Sequence, residues 1–91
     1  MQTIYKYPLE VTDKQSLTLP DGAKILSVQM QGESLCLWAM VSPTIQAIET
    51  RTFWIYGTGH DVTLAPEHLN FLATVQMRGG TLIFHVFEEV G

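Results

Sequence analysis

The sequence is poor in charge, and poorest in positive charge. Charged residues make up 15% of its 91 positions, against about 25% in an average soluble domain. The five lysines and arginines stand singly against nine aspartates and glutamates, which gives a net charge of −4. Binding to a nucleic-acid backbone needs clustered lysine and arginine, so we exclude that class of function. A chain this short and apolar can bury only part of its surface as a monomer, so we expect a homo-oligomer.

Cysteine is also scarce, and long apolar runs are absent. The single cysteine, Cys36, has no partner for an internal disulfide, which fits a reducing compartment. No apolar run approaches the ~20 residues of a membrane-spanning helix, and the N-terminus lacks a charged leader followed by an apolar segment. We therefore expect a cytoplasmic protein without a membrane partner.

Motifs of catalysis and metal binding are missing as well. There is no Gly-x-Ser-x-Gly elbow, no Gly-x-x-x-x-Gly-Lys loop and no histidine or cysteine pair at zinc-ligand spacing. Cys36 lies among leucines, where an apolar setting makes a thiol inert. His85 shares its strand face with apolar residues, which favours a structural role, and Glu88 and Glu89 fit a solvated tail. We predict no catalytic residue, no metal and no cofactor.

Hydrophobic periodicity predicts the fold class. Apolar and polar residues alternate with a period near two, and turn residues recur roughly every eight to twelve positions. This pattern indicates an all-β fold, either a small antiparallel β-sandwich or a partly open barrel of about six or seven strands, with at most one short helical turn. We expect a single β-rich domain over residues 1–91. In the strand predicted over residues 26–31, Leu26, Val28 and Met30 should face the core.

Proline and glycine mark strand edges and turns. Pro8 predicts that the first strand lies at the edge of a sheet or carries a bulge. Arg78-Gly79-Gly80 predicts a hairpin, because glycine accepts the positive φ of a tight turn. Residues 61–70 are the least strand-like stretch, and we expect a surface excursion there with room for one helical turn.

Two central strands are apolar on both faces, which is the main functional clue. In residues 35–41, Leu-Cys-Leu-Trp-Ala-Met-Val, both parities are apolar, so the second face should meet another layer, a subunit or a ligand. If this strand neighbours the next one, Trp38, Trp54 and Tyr56 form one aromatic face that can stack a planar ligand. The alternative is that these rings belong to the other half of a sandwich core.

A glycine-rich turn follows the second of these strands. In Gly57-Thr58-Gly59-His60 the backbone is free to turn, and its N–H groups could hold an anion or a carbonyl oxygen. Arg51 has the opposite parity from Trp54, so it either caps the sheet edge or pairs internally with a carboxylate. As a ligand for an anion it would have to lie at the rim. The candidate ligand-binding residues are Trp38, Arg51, Trp54, Tyr56, Gly57, Thr58, Gly59 and His60.

Five segments of the chain resemble a family of small uncharacterised proteins from tailed phages and prophages. They read IYKYPLE, AKILSVQ, CLWAMV, ETRTFWIYGTGH and GGTLIFHVFEE, and the resemblance spans nearly the whole chain. The strongest stretch ends in the Tyr-Gly-Thr-Gly-His sequence of residues 56–60. The resemblance implies a β-rich phage accessory protein in the host cytoplasm that binds a host protein or sequesters a small molecule.

Three functional hypotheses follow. The first is a non-enzymatic, oligomeric binding protein that sequesters a small nucleotide-like ligand to counter host defence, using the Trp38, Trp54 and Tyr56 face and the glycine turn. The second is an inhibitor that binds a host protein directly, in which charge reversal at Glu33, Glu49 or Glu67 disrupts binding. The third is a small hydrolase that uses His60 and Asp61 with a distant partner.

Overall fold

The computed structural model describes residues 1–91 and shows two antiparallel sheets packed into a sandwich. The strands are β1 Thr3–Leu9, β2 Lys14–Pro20, β3 Lys24–Gln31, β4 Ser34–Val41, β5 Ile48–Gly57, β6 Leu69–Met77 and β7 Leu82–Glu89. Their order is β1-β4-β3 in the three-stranded sheet and β2-β5-β7-β6 in the four-stranded sheet. The all-β prediction is confirmed, and because the sheets do not close into a barrel, the sandwich is the correct alternative. Pro8 lies in β1, an edge strand as predicted.

Helical structure is limited to two 3-10 turns, Pro66–His68 and Arg78–Gly80. The first lies in the stretch for which the sequence predicts one helical turn. The second forms the tip of the β6–β7 hairpin, where Arg78, Gly79 and Gly80 all have positive φ, as the glycine pair predicts. Neither turn has the length or the apolar character of a membrane-crossing helix.

The core lies between the sheets and uses one face of each. Its fully buried side chains come from both sheets and include Leu19, Leu37, Val41, Phe53 and Val86. Shortening such a side chain to alanine typically costs about 2–5 kcal/mol, so core packing fixes which face of each strand points inward. The opposite faces, here called outer faces, carry Trp38 on β4 and Trp54 on β5.

A β-bulge in β3 reverses the predicted orientation of Leu26. The pairing of β3 with β4 shifts between Ile25 and Ser27. Ile25 packs against the core, whereas Leu26 is 41% exposed. The prediction that Leu26 faces the core is therefore wrong, while Val28 is buried as predicted. A bulge inserts one residue into a strand and re-aims its side chains, and the alternation of residue types does not reveal it.

The connection from β5 to β6 has to cross the four-stranded sheet. β5 and β6 each pair antiparallel with β7, which lies between them, so they run parallel to each other. The crossover consists of residues 58–65, here called the strap, and the 3-10 turn Pro66–His68. At its far end the Val90 N–H donates to the His68 carbonyl at 2.8 Å. A short irregular segment therefore lies over the outer face of this sheet.

A buried ion pair ties β5 and β7 to the connection between the sheets. Arg51 Nε and Nη2 donate to the two carboxylate oxygens of Glu88 at 2.5 and 2.9 Å, and Nη1 donates to the Ala23 carbonyl. The hydrogen bond with Glu88 raises the pKa of Arg51 above its usual value, although burial opposes the rise. Glu88 is buried, so the prediction of a solvated tail is wrong for this residue. Of the two alternatives for Arg51, internal pairing is the one observed.

We predict that Arg51→Met lowers the free energy of unfolding by roughly 3 kcal/mol, because it leaves the Glu88 carboxylate buried without a partner. Urea denaturation of the purified protein measures the change. Glu49→Gln is the matched control: Glu49 lies 3.6 Å from Arg51 Nη1 and is more exposed than Glu88, so its loss should cost less than about 1 kcal/mol. Equal losses in the two variants would contradict the assignment of the buried pair.

Candidate functional site

Trp38 and Trp54 lie on opposite sides of the sandwich. Trp38 belongs to β4 in the three-stranded sheet and Trp54 to β5 in the four-stranded sheet, each on the outer face. The predicted single face of Trp38, Trp54 and Tyr56 is therefore wrong. Its premise was that consecutive strands are neighbours, but the 42–47 loop carries the chain from one sheet to the other, as connections in sandwiches commonly do.

Trp54 and Tyr56 begin a row of aromatic rings across the outer face of the four-stranded sheet. The two rings are within 6° of parallel, and their centroids lie 6.1 Å apart. Tyr56 meets Phe87 edge-on at 5.9 Å, and Phe87 meets Phe71 edge-on at 5.5 Å. We call these four residues the aromatic row. Such edge and offset contacts are the favoured arrangements of aromatic pairs.

Trp54 is held in place through both its ring and its N–H group. The Lys14 ammonium lies 5.1 Å from the ring centroid, and the indole Nε1 donates to the Glu89 carboxylate at 2.8 Å. Lys14 and Trp54 are register partners on β2 and β5. These contacts fix the indole before any ligand arrives, which reduces the entropy lost on binding.

A cleft lies between the strap and the Trp54 end of the aromatic row. It has a volume of about 240 Å³ and is lined by Asp13, Trp54, Ile55, Tyr56, His60, Asp61 and Thr63. Tyr56 is only 8% exposed, and its hydroxyl is buried without a hydrogen-bond partner. A buried unpaired polar group costs about 1–3 kcal/mol, and native structures seldom leave one unsatisfied. We call this the strap cleft, and the unpaired hydroxyl of a residue that lines it makes it the candidate site.

A larger groove, of about 510 Å³, lies between the tips of the β3–β4 and β6–β7 hairpins, at Gly32 and Gly79. It contains no buried side chain that lacks a hydrogen-bond partner. Its lining is formed mainly by exposed turn residues. Size alone therefore does not make this groove the better candidate.

Of the glycine turn only His60 lines the strap cleft, whereas Gly57 and Thr58 line a separate depression beside residues 81–84. The amides of Thr58 and His60 do not form the predicted cradle for an anion. The Thr58 N–H donates to the Ile83 carbonyl at 3.3 Å, and the His60 N–H donates to the Gly57 carbonyl at 3.0 Å. These two amides already have protein partners. The His60 ring lies against Gly57, where an added Cβ would be 2.8 Å from Cε1. Glycine at position 57 thus gives the imidazole room to reach the cleft.

Arg51 and His85 both bind other residues of the chain and thereby stabilise the fold. The guanidinium of Arg51 is bound to Glu88 on the core side of β5, so the prediction of an anion ligand at the rim is not supported by its position. His85 lies on the outer face, with Thr58 Oγ1 2.8 Å from Nε2 and Thr74 Oγ1 3.1 Å from Nδ1. His85 therefore links the first residue of the strap to β6.

The structure brings together some of the predicted ligand-binding residues and separates others. Trp54, Tyr56 and His60 line the strap cleft. Gly57, Thr58 and Gly59 form the turn at which the strap begins. Trp38 and Arg51 lie elsewhere, one on the other sheet and one on the core side of β5.

Four residues of the cleft lining are absent from the predicted ligand-binding set: Asp13, Ile55, Asp61 and Thr63. Asp13 reaches the cleft because β2 pairs with β5, and the Ile55 N–H donates to the Asp13 carbonyl at 3.1 Å. No local pattern reveals that pairing. Thr63 and Asp61 belong to the strap. The sequence suggests a role for Asp61 only in the hydrolase hypothesis. No sequence signal identifies either of them as a cleft residue, because the crossover that brings the strap to the cleft follows from the pairing of β5 and β6 with β7.

Comparison with known proteins assigns the chain to a family. A family model described as "Domain of unknown function (DUF7352)" matches residues 1–91. The chain belongs to this family. The expected membership of an uncharacterised family is thereby confirmed, while the phage origin stays a prediction. No curated protein and no solved structure is similar enough to the chain to match it.

We predict that Gly57→Ala displaces the His60 imidazole, because the new methyl group would lie within 3 Å of Cε1 and Nδ1. The end of a side chain moves easily, so the loss of stability should stay below about 1 kcal/mol. The NMR signals of the His60 ring report the displacement. Gly59→Ala is the control: φ is +88° there and no atom is near, so it should cost about 1–2 kcal/mol and leave the signals in place. An unmoved His60 signal in Gly57→Ala would contradict the geometry of the cleft.

Proposed function

We propose that the protein is a non-enzymatic binding protein that holds a small uncharged or cationic ligand in the strap cleft. The observation that carries the proposal is the Tyr56 hydroxyl, which is buried without a hydrogen-bond partner, in a residue that lines the cleft together with Trp54 and His60. A ligand that hydrogen-bonds to this hydroxyl removes its desolvation cost. Aromatic walls with a few convergent polar groups are the usual composition of a small-molecule site.

The size and charge of the cleft narrow the class of ligand. Its volume of about 240 Å³ is below the roughly 300–1,000 Å³ of pockets for drug-sized molecules, which favours a ligand of one ring or a short amine. Asp13 and Asp61 line the cleft and no lysine or arginine does. The N–H groups of Thr58 and His60 are also occupied. The sequence predicts a nucleotide-like ligand. We therefore propose that the ligand has a planar base like that of a nucleotide but carries no phosphate.

We propose binding as the role of His60 and Asp61, which both line the strap cleft. Hydrolysis would require His60 to lie within hydrogen-bond reach of an acid or base in the complex with its substrate. The rings of Trp54 and Tyr56, in contrast, are already stacked.

The biological setting is part of the same proposal. The resemblance to proteins of tailed phages supports an accessory role in the host cytoplasm, in which the protein sequesters its ligand to counter host defence. The expected homo-oligomer stays a prediction.

We predict opposite effects of Tyr56→Phe on stability and on binding. Removing the unpaired hydroxyl should raise the free energy of unfolding by about 1 kcal/mol or more in the free protein, because a buried unsatisfied group disappears. The same change should weaken ligand binding roughly 2- to 12-fold, the value of one neutral hydrogen bond. Tyr5→Phe, at a position 43% exposed, is the control and should change neither quantity. A loss of stability in Tyr56→Phe would contradict the unpaired state of the hydroxyl.

We expect nucleosides to bind more tightly than their 5′-monophosphates. NMR titration of the purified protein with matched nucleoside and monophosphate pairs follows the two indole N–H signals, and Trp38 serves as the internal reference. The Trp54 signal should shift and the Trp38 signal should not. Trp54→Ala should lower the affinity about 5- to 150-fold through lost stacking. If no nucleoside moves the Trp54 signal, or if the monophosphates bind better, the proposed ligand class is wrong.

A second candidate function is direct binding of a host protein, and one specific observation favours it. On β4 the outer-face side chains of Trp38 and Met40 are half-buried, and no other element of the chain covers them. The apolar pattern of residues 35–41 predicts a layer, a subunit or a ligand on this face, and the second sheet packs on the opposite face.

A further inference from the structure

The outer face of the three-stranded sheet has a distinct distribution of charge. β1, β3 and β4 contain Lys6 and Lys24 and no aspartate or glutamate. The other three basic residues and all nine acidic residues lie elsewhere in the chain. In a protein with a net charge of −4, this sheet is therefore locally positive.

An apolar patch lies between the two lysines. Ile4 is 55% exposed and Leu26 41% exposed. In the register of the sheet, Met40 lies between Ile4 and Lys24, and Trp38 lies next to Lys6. We call Ile4, Leu26, Trp38 and Met40 the Trp38 patch. Two shallow depressions, of about 340 and 390 Å³, meet at Ile4, so the surface of the patch is not flat.

The β-bulge of β3 contributes to this patch. Regular alternation would point Leu26 into the core, but the bulge turns Leu26 outward and leaves Ile25 to pack against the core. One depression is lined by Leu26 together with Ile4 and Trp38. Bulges recur where a strand has to re-aim a side chain. Here the result is a large apolar side chain added to a face that already carries a tryptophan.

We propose that the Trp38 patch docks a protein partner whose surface has an apolar centre flanked by carboxylates. Charge complementarity selects this partner, because Lys6 and Lys24 flank the patch and no carboxylate of the three strands neutralises them. The Lys6 ammonium donates one hydrogen bond, to Gln31 Oε1 at 2.8 Å, and an ammonium has three donors. A symmetric pair of this face would bring four lysines and no carboxylate of these strands into one interface, which disfavours a second copy as the occupant. Two lysines are also too few for a phosphate backbone.

This inference deepens the second candidate function and does not depend on the strap cleft, which lies on the other sheet. It also reverses the expectation that acidic residues such as Glu33, Glu49 and Glu67 carry the contact with a host protein. Those residues lie outside the three strands that form the Trp38 patch. The partner surface should therefore be acidic, not basic.

A peptide display selection tests the proposal with the full-length protein as bait. The probe is a library of random 12-residue peptides with equal input frequencies of acidic and basic residues. Selection is run on the wild type and on the double variant Lys6→Glu and Lys24→Glu, whose changes are on exposed lysines. The wild type should enrich peptides that combine aromatic or aliphatic residues with a net negative charge. The double variant should bind these peptides roughly tenfold more weakly or worse, and should enrich positively charged ones instead.

The control is Trp54→Ala, which should leave the enriched peptides and their affinities unchanged. The proposal for the strap cleft and the proposal for the Trp38 patch can therefore fail separately. Enrichment of basic peptides by the wild type would overturn the proposal. Equal binding of the enriched peptides to the double variant would overturn it as well. Sedimentation velocity completes the test: a dimer of the wild type that Leu26→Glu dissociates would show that a second copy occupies the patch, and would also overturn the proposal.

Discussion

The bidentate pair of Arg51 and Glu88 is the interaction on which the rest of the structure depends. It joins β5 to β7 near the C-terminal end of the chain, and the bond from Arg51 to the Ala23 carbonyl extends it to the turn that leads from one sheet into the other. A buried pair of this kind adds little stability over an apolar pair of equal volume, but it strongly penalises any arrangement that separates the two charges. It therefore selects one relative placement of β5, β7 and the β2–β3 turn, while core packing sets the faces on which Trp38 and Trp54 lie.

The placement of β7 between β5 and β6 then produces the candidate site. A parallel pair of strands separated by a third strand requires a crossover, and here the crossover has no helix to fill its span. The strap is irregular and lies at the Trp54 end of the aromatic row, beside Tyr56, whose buried hydroxyl has no partner. The three-stranded sheet has no such covering, so its outer face stays open. The two sides of the sandwich thus differ in kind: one has a small covered cleft, and the other has an open, locally positive apolar patch.

The sequence predicted the class of fold, its hairpin tip and its edge strand, because periodicity and turn residues act over a few positions. It also indicated that both faces of β4 are apolar, and that Trp54, Tyr56 and the glycine turn belong together. It did not predict which strands share a sheet, since pairing depends on contacts between distant segments. For that reason the sequence predicts Trp38 beside Trp54 and does not identify Asp13. It also predicts that Glu88 belongs to a solvated tail, although internal pairing of Arg51 would require a carboxylate. The bulge at Leu26 could not be predicted for a related reason. An argument from alternation assumes that the strand register is uninterrupted.

The central claim is that the two tryptophans lie on opposite outer faces and belong to separate surfaces. A two-dimensional NOE spectrum of the purified protein tests this claim directly. The Trp54 ring should show cross-peaks to Tyr56, and Tyr56 should show cross-peaks to Phe87, as their centroid distances of 6.1 and 5.9 Å require. No cross-peak should join the two indoles, because stacked sheets are about 10 Å apart and each ring points away from the other sheet. A cross-peak between the Trp38 and Trp54 rings would contradict the sheet assignment and both proposed surfaces.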